Sequence, residues 1–327
     1  MIVSQGLESL GRDHGPSVTS IGVFDGVHLG HRAILERNRE VAAERGLTCT
    51  VVTFAGHPKR VLLGRAPRTL TSLQHRLRLF EAAGVQHTLV LRFDETLRSM
   101  RAKVFLDTVL LHGLDSRHFV LGFDSKFGLN QEGGADFLQA CGQSVEVVPR
   151  VAARGRAISS TAIREAVELG DLVAAGAMLG RRVSVLGRVV HGDALGRRLG
   201  FPTANLDLDH ELHPPTGVYA GFARCDRIDG VRPAMANIGV RPSLAQPGSR
   251  EPRVEVHLIG YEGDLYGQEL EFEFAARLRE EQAFADLDSL RVQLAADQEA
   301  ALHRLQTLTP DFGRSAGAQG TDSPAGS

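Results

Sequence analysis

Runs of apolar and β-branched residues recur through the first half of the chain, at residues 19–24, 49–54, 87–93, 118–123 and 145–151. Continuous apolarity with little alternation marks strands buried on both faces of a sheet. Helical stretches lie between them. The clearest is predicted to start near Thr71: Thr71 and Gln74 have capping-box spacing, Leu73, Leu77 and Phe80 recur on one face, and Gly84 can end it. Strand alternating with helix predicts a mostly parallel α/β sheet.

The pattern changes near Gly180, after a short helical piece at 170–179. From there to residue 275, short alternating strands separated by Gly and Pro predict a small antiparallel barrel. In 253–258 the alternation is strict: Val254, Val256 and Leu258 take one face, predicted to be core, and Arg253, Glu255 and His257 take the other. A last helix is predicted over 284–305, its stripe formed by Leu287, Leu290, Leu294, Leu302 and Leu305 and packed against the barrel. Residues 310–327, rich in Gly, Ser, Ala and Pro, have little to bury and are predicted to be disordered. The organisation expected is therefore two domains, 1–180 and 181–309, and a tail, 310–327.

Charge narrows the partners. Lys and Arg total 37 against 39 acidic residues, a net charge of −2, so nothing draws the chain as a whole to nucleic acid or to an anionic membrane. Cys49, Cys141 and Cys225 are isolated, without zinc or disulfide spacing, which fits a reducing compartment. The first residues lack a signal-peptide pattern, and no apolar run reaches the length of a membrane span. A soluble cytoplasmic protein is expected, with a weak or transient homo-oligomer left open.

The segment IGVFDGVHLGHRAIL joins a buried strand to a Gly-rich turn and a helix, with His28 and His31 at the helix start. Exposed N–H groups there attract phosphate, and Gly26 and Gly30 permit close backbone approach. A helix dipole contributes up to about 2 kcal/mol, against barrier reductions of about 8 to 23 kcal/mol in enzymes. Histidines, an arginine and Mg²⁺ must then supply the rest. A lone His-x-x-His is as readily a surface pair; the strand-turn-helix context favours a phosphate site.

GVFDGVHLGH resembles the signature of nucleotidyltransferases of the bacterial FAD synthetase family, which transfer an adenylyl group from ATP. The resemblance implies a Rossmann-like domain in which Gly22, Phe24, Gly26 and Gly30 contact the nucleotide and His28 and His31 are catalytic. ISSTAIREAV, at 158–167, resembles the family's second signature: Ser159, Ser160 and Thr161 open a helix and Arg164 reaches the triphosphate. From the residues alone, the hydroxyls are equally good helix caps, while Arg164 offers a planar multidentate donor. VTFAGHPKRVL and LGFDSKFG resemble two further family segments, which implies a flavin or nucleotide contact for Asp124; Gly56 and Ser125 depart from the pattern.

The second constellation is GRVVHGDALGRRLGFPTANLDLD. Gly192, Gly196 and Gly200 surround Arg197 and Arg198, and Pro202 leads into the oxygen donors Thr203 and Asn205. No Gly-Lys-Ser/Thr follows, so this is not a Walker A loop. The run resembles the flavokinase signature, in which Thr203 and Asn205 would bind Mg²⁺ and the glycine loop would cover the ATP phosphates. PPTGVYAG, ANIGVRPSL and VEVHLIGYEGDLYGQELEFEF follow in the family's order, with Ser243 where Thr is usual. The resemblance implies ligand contacts from Phe201 and Asn237, and Glu255 as the base that takes the ribityl 5′-hydroxyl proton. Alternation alone makes Glu255 an ordinary strand residue able to pair with Arg253 or His257.

Taken together, the resemblance is to the bacterial bifunctional riboflavin kinase/FAD synthetase family. It implies an α/β Rossmann-like nucleotidyltransferase domain followed by a small antiparallel β-barrel flavokinase domain with a C-terminal helix. ATP with Mg²⁺, riboflavin and FMN are the expected ligands, FMN and FAD being substrate and product and not permanent cofactors. No nucleic acid or membrane partner is expected. A kinase with a degenerate adenylyltransferase half, or a flavin-binding protein without turnover, are the alternatives.

Overall fold

The computed structural model describes residues 1–10, 15–58, 61, 64, 66–153, 156–192, 195–209, 211–240 and 252–312. Six parallel strands form the first sheet: β1 (Ile2–Gln5), β2 (Ser17–Ile21), β3 (Thr48–Phe54), β4 (His87–Leu91), β5 (Ser116–Gly122) and β6 (Val145–Val148), in the order β1-β4-β3-β2-β5-β6. β1 was not expected; it is an exposed edge strand without an apolar run, held by pairing with β4. β2 and β4 are buried throughout. Hydroxyls caught inside are satisfied locally: Ser17 donates to Leu114 O at 2.8 Å, Ser20 to Val120 O at 2.7 Å, and Thr19 pairs with Ser116 at 2.7 Å. From β2 the chain steps to β3 and β4 on one side, then returns to β5 and β6 on the other. That reversal opens a crevice at the carboxyl ends of β2 and β5.

Helix α1 (Leu29–Arg45) follows β2 and buries Ile34, Leu35, Val41 and Ala42 before Gly46, at φ 65°, ends it. Helix α2 (Leu73–Ala82) starts one residue later than the capping-box spacing predicts. Ser72 accepts from His75 N at 3.3 Å, while the Thr71 hydroxyl accepts from Gly26 N at 3.0 Å. Its buried face also differs: His75, Arg76, Leu79 and Phe80 point inward, and Leu73 and Leu77 are half-buried. The helix places polar groups in the seam between domains, a demand that hydrophobic periodicity does not register.

A ribbon of β7 (Ala152–Ala153) and β8 (Arg156–Ala157) precedes α3 (Ser160–Glu168) and α4 (Leu172–Leu179). The barrel follows: β9 (Ser184–Val190), β10 (Ala204–Asp207), β11 (Gly217–Cys225), β12 (Val231–Val240), β13 (Pro252–Leu258) and β14 (Glu269–Arg279), closed and antiparallel in the order β10-β13-β12-β11-β14-β9. Val254, Val256 and Leu258 lie in its core as alternation requires. The same apolar cluster takes in Leu70, Ile163, Val167 and Leu179, so α3 and α4 pack as part of the barrel's core.

Helix α5 (Leu287–Leu305) is capped by Asp286 and Ser289 in a reciprocal capping box, three residues after the expected start. It buries Asp297, Ala301 and Leu305; of the predicted leucine stripe Leu290, Leu294 and Leu305 face the barrel, whereas Leu287 and Leu302 are exposed. The helix is rotated to give Asp297 to Arg279, whose Nε and Nη2 donate to the carboxylate at 2.9 and 2.8 Å. The start of the expected tail is also ordered. Asp311 N donates to Glu273 at 3.0 Å, Phe312 N donates to the same carboxylate, and the Phe312 ring is buried under Arg224. Residues 313–327 of that tail, like Ser243, lie outside the described residues.

An ionic cluster joins the two halves. His75 Nδ1 lies 2.9 Å from Glu211 and Nε2 lies 3.2 Å from Glu271, all three side chains 0% exposed. Glu211 also accepts from Ser72 N and from Leu186 N, and Glu271 from Arg224 at 2.7 Å. Burial alone would push the His75 imidazole down, but the two carboxylates outweigh it and raise it to about 9. His75→Leu removes the cation shared by two buried carboxylates, leaving Glu271 to Arg224 alone and Glu211 to backbone N–H groups, and should lower stability by about 3 to 5 kcal/mol. Because the folded pKa is raised, the imidazolium's contribution is complete below the ordinary value of 6.5 and is lost as pH rises through about 9. Urea midpoints of both proteins at about pH 6 and about pH 10 test this. A difference between the proteins that does not shrink at the higher pH would mean the seam holds no charged imidazole.

Candidate active sites

Between β2 and α1 runs the turn that carries Gly22, Phe24, Gly26 and His28, with Gly30 and His31 in the first helical turn. Phe24, Gly26 and Val27 sit at φ 53°, 82° and 39°. A non-glycine residue in that region costs on the order of 1–3 kcal/mol and persists only where its surroundings hold it. Here they do. Val23 O accepts from Arg76 Nη1 at 2.5 Å, Asp25 O from the Ser160 hydroxyl at 3.0 Å, and Val27 O from Arg181 Nη1 at 3.5 Å. A Cβ on Gly26 would fall 2.7 Å from Leu70 Cδ1, so a side chain is barred there twice, by space and by φ.

His28 caps α1: its Nδ1 accepts from His31 N at 3.3 Å, which leaves the proton of the neutral ring on Nε2. The two imidazoles stack at 3.6 Å, and the Phe24 ring meets His31 edge-on at 5.2 Å. Burial, aided by the charge of Arg181, lowers His28 to about 4. Burial, His28 and Arg76 hold His31 well below the usual imidazole range. At neutral pH the pair therefore offers N–H donors, not cations, beside the free N–H groups of a helix start.

Asp25, which sequence reasoning passed over, organises the other wall. It is buried; Oδ1 accepts from Leu70 N at 2.9 Å and Thr71 N at 3.2 Å, and Oδ2 from Arg164 Nη2 at 2.6 Å. Arg164 Nε donates to Arg68 O at 3.0 Å, so Asp25 and Arg68 together set where the guanidinium points. Ser159 accepts from Ala162 N at 3.2 Å as the cap of α3, the local reading of that residue, while Thr161 is exposed in the first turn. The signal for Asp25 was an acidic residue directly after a buried strand.

Asp124 is exposed beyond the end of β5, beside Phe123, over whose ring Arg150 lies at 4.6 Å. Ser125 closes that turn by accepting from Gly122 N at 3.0 Å. Gly56 is exposed with open space where a side chain would be. Both departures from the family pattern thus sit outside the contacts that hold His28 and His31.

In the barrel, strand register does what the sequence leaves open. Asn205 on β10 and Asn237 on β12 both pair with Glu255 on β13, which sets three polar side chains in a row across adjacent strands. A cavity of about 210 Å³ opens over the row, and Gly196, Phe201 and Thr203 line it beside Asn205. Phe284, Leu290 and Leu294 supply an apolar wall. A smaller cavity of about 50 Å³, lined by Arg197, Tyr261 and Tyr266, shares Thr203 with the first.

The glycine loop crosses directly above these oxygens. A Cβ on Gly192 would overlap the Asn205 amide, and one on Gly196 would press on Phe201 O and lie 3.3 Å from Thr203 Oγ1. Gly200, at φ 86°, turns the chain back toward Phe201. Sequence reasoning missed His257 and Arg279, which also line the large cavity. The ring nitrogens of His257 lie 2.8 Å from Pro202 O and 3.2 Å from Gln298 Oε1. Its place two residues after Glu255, on the same face, was the available signal. Among the described residues no group of three or more His, Cys, Asp or Glu forms a metal cage. The neutral oxygens of Thr203 and Asn205 suit a hard cation that arrives with phosphate and water as its other ligands.

A glycine-rich turn at the switch point of a parallel sheet, joined to a barrel whose two cavities meet at Thr203, has the layout of a two-domain nucleotide-dependent transferase. The FAD synthetase family matches residues 11–162 and the riboflavin kinase family residues 179–305. A bifunctional riboflavin kinase/FMN adenylyltransferase of Pseudomonas fluorescens is 40% identical over 306 residues, covering 92% of this chain and 97% of that one. The protein of the same description from Escherichia coli K12 is 38% identical over 286 residues, covering 86% and 90%. A crystal structure described as a macrolide-efflux protein from Streptococcus pneumoniae has the same fold, with a TM-score of 0.79 at 30% identity over 94% of this chain and 100% of that one. The chain belongs to the bifunctional riboflavin kinase/FMN adenylyltransferase family and is an enzyme with a kinase half and a nucleotidyltransferase half. Among the described residues no helix is long and apolar enough to cross a membrane.

Proposed function

We propose that residues 181–309 phosphorylate riboflavin and residues 1–180 adenylylate the FMN so formed. The observation that carries the kinase assignment is the Asn205–Glu255–Asn237 row at the foot of a cavity with one apolar wall and one edge at Thr203. The flavin ring fits the apolar wall, and its ribityl chain leads the 5′-hydroxyl to Glu255. Glu255 takes the hydroxyl proton, the oxygen bonds to the γ-phosphorus of ATP, and the bond from that phosphorus to the bridging oxygen breaks, releasing ADP. Thr203 and Asn205 would hold Mg²⁺, which supplies charge neutralisation on the phosphates. Gly192, Gly196, Arg197 and Gly200 carry the loop over the nucleotide, and Phe201 and Asn237 border the flavin.

In the second reaction an FMN phosphate oxygen bonds to the α-phosphorus of ATP and pyrophosphate leaves, with no covalent enzyme intermediate. Gly22, Phe24, Gly26 and Gly30 shape the turn, while His28, His31 and the N–H groups opening α1 donate to the phosphoryl oxygens. Arg164, Ser160 and Thr161 border the triphosphate from α3, and Asp124 the flavin end. A cytoplasmic location is supported by the unpaired state of Cys49, Cys141 and Cys225. The remaining partners of this reading are ATP, riboflavin and FMN, and a second copy of the chain in a weak or transient homo-oligomer.

Time-resolved separation of flavins after mixing the protein with riboflavin, ATP and Mg²⁺ tests the scheme. FMN followed by FAD is expected. FMN alone would leave a kinase with an inactive adenylyltransferase half, and no product would leave a binding protein. Because both histidines are held neutral, kcat/KM for FMN adenylylation should show no limb from them between about pH 5 and 8. A fall in rate below about pH 6.5 that disappears in the double histidine variant would contradict that.

A further inference from the structure

The turn that carries His28 exposes three alternate carbonyls, Val23, Asp25 and Val27, and each accepts from a different segment. Arg76 of α2 serves the first and Ser160 of α3 the second. The third donor, Arg181, comes from within the stretch that matches the riboflavin kinase family. The residues on either side of this contact are also placed against the turn. Leu179 Cδ2 lies 3.6 Å from the point where a Gly26 Cβ would be, Gly180 leaves no room for a Cβ beside Leu29, and Gly180 O accepts from Arg32 Nη1 at 3.1 Å.

We propose that Arg181, which opens the kinase half, is a positioning residue of the adenylyltransferase site: it fixes the Val27 carbonyl, and through it the His28 cap, from the far side of the domain boundary. The inference rests on the assignment of adenylyl transfer to the His28–His31 turn. Val27 immediately precedes the cap and stands at φ 39°, so the orientation of its carbonyl governs where the imidazole is presented. Arg181 is 6% exposed, and water is a poor substitute for it there. It lines neither barrel cavity, so riboflavin phosphorylation does not depend on its contacts.

Electrostatics adds a second effect of the same residue. Arg181 faces Glu271, Glu211 and Asp311 on the barrel side and Arg32 on α1. Toward the turn, its charge opposes protonation of His28; His31 stacks on the same ring, with Arg76 behind it, and the Asp25–Arg164 pair closes the α3 side. Burial, the larger cause of the lowered His28 value, would remain without Arg181, so the imidazole would move up from about 4 only by the part its charge contributes. A protonated ring cannot accept from His31 N and cap the helix.

The test compares Arg181→Met and Arg181→Lys with the wild-type full-length chain, each assayed for FMN formation from riboflavin and for FAD formation from supplied FMN across pH. Arg181→Met should lower FAD formation about 10- to 100-fold, add an acid limb to its pH profile, and leave FMN formation within about twofold. Arg181→Lys, which restores a charge and a donor, should remove the limb and recover most of the rate. An unchanged rate of FAD formation, a lower rate without the acid limb, or a parallel fall of both activities would overturn the proposal. The wild type and a His28→Ala/His31→Ala variant test the underlying assignment separately. Wild type that makes no FAD, or a histidine variant that still does, defeats the assignment; a normal histidine result with any of the three overturning outcomes defeats the role of Arg181 alone.

Discussion

Glu255→Gln is expected to lower FMN formation from riboflavin by about 10²- to 10⁴-fold, the range for loss of a positioned general base, while supplied FMN is still converted to FAD at the wild-type rate. Glutamine keeps the shape of the side chain and its capacity to hydrogen-bond across β10 and β12, so the strand register that aligns Asn205, Glu255 and Asn237 is retained. What it loses is the ability to take a proton. The fall should therefore appear in kcat, with KM for riboflavin little changed, because the apolar wall of Phe284, Leu290 and Leu294 is untouched. Steady-state kinetics on each half-reaction separates these quantities. FMN formation that survives the substitution would return Glu255 to the ordinary strand residue that alternation alone describes.

The His28→Ala/His31→Ala variant should let FMN accumulate, with FAD formation reduced by about 10²-fold or more, since removal of one preorganised donor to a developing charge already costs about that much. A structural explanation of such a loss is too small. Losing the His28 cap costs about 1 kcal/mol, whereas α1 is a 17-residue helix anchored by Ile34, Leu35, Val41 and Ala42. Unimpaired FMN formation in the same preparation shows that the chain has folded. Persistent FAD formation would make the stacked imidazoles a packing feature of the turn.

Part of the candidate kinase site is legible in the sequence, because its glycine loop and the strand after it are consecutive. Gly192, Gly196, Thr203 and Asn205 occupy one loop and the strand after it, and the alternation of β13 puts Val254 and Val256 inward and Glu255 outward. Helices are less legible where burial is polar. In α2 the inward residues include His75 and Arg76, and in α5 Asp297, so stripes counted on leucine give only part of each packing face. Arg279 gives no local signal, because the carboxylate that holds it lies 18 residues further on.

The sequence by itself determined the strand-helix alternation, the switch to a barrel near Gly180, and the position of the two glycine-rich segments on which the candidate sites are built. Those features depend on period, φ and spacing within a few residues. Only the tertiary structure decided that Asp25 orients Arg164 across 139 positions and that His75 is charged between carboxylates, one of them 136 positions away. Sheet order and register bring such residues together, and burial then changes the strength of their charges, which no local pattern encodes.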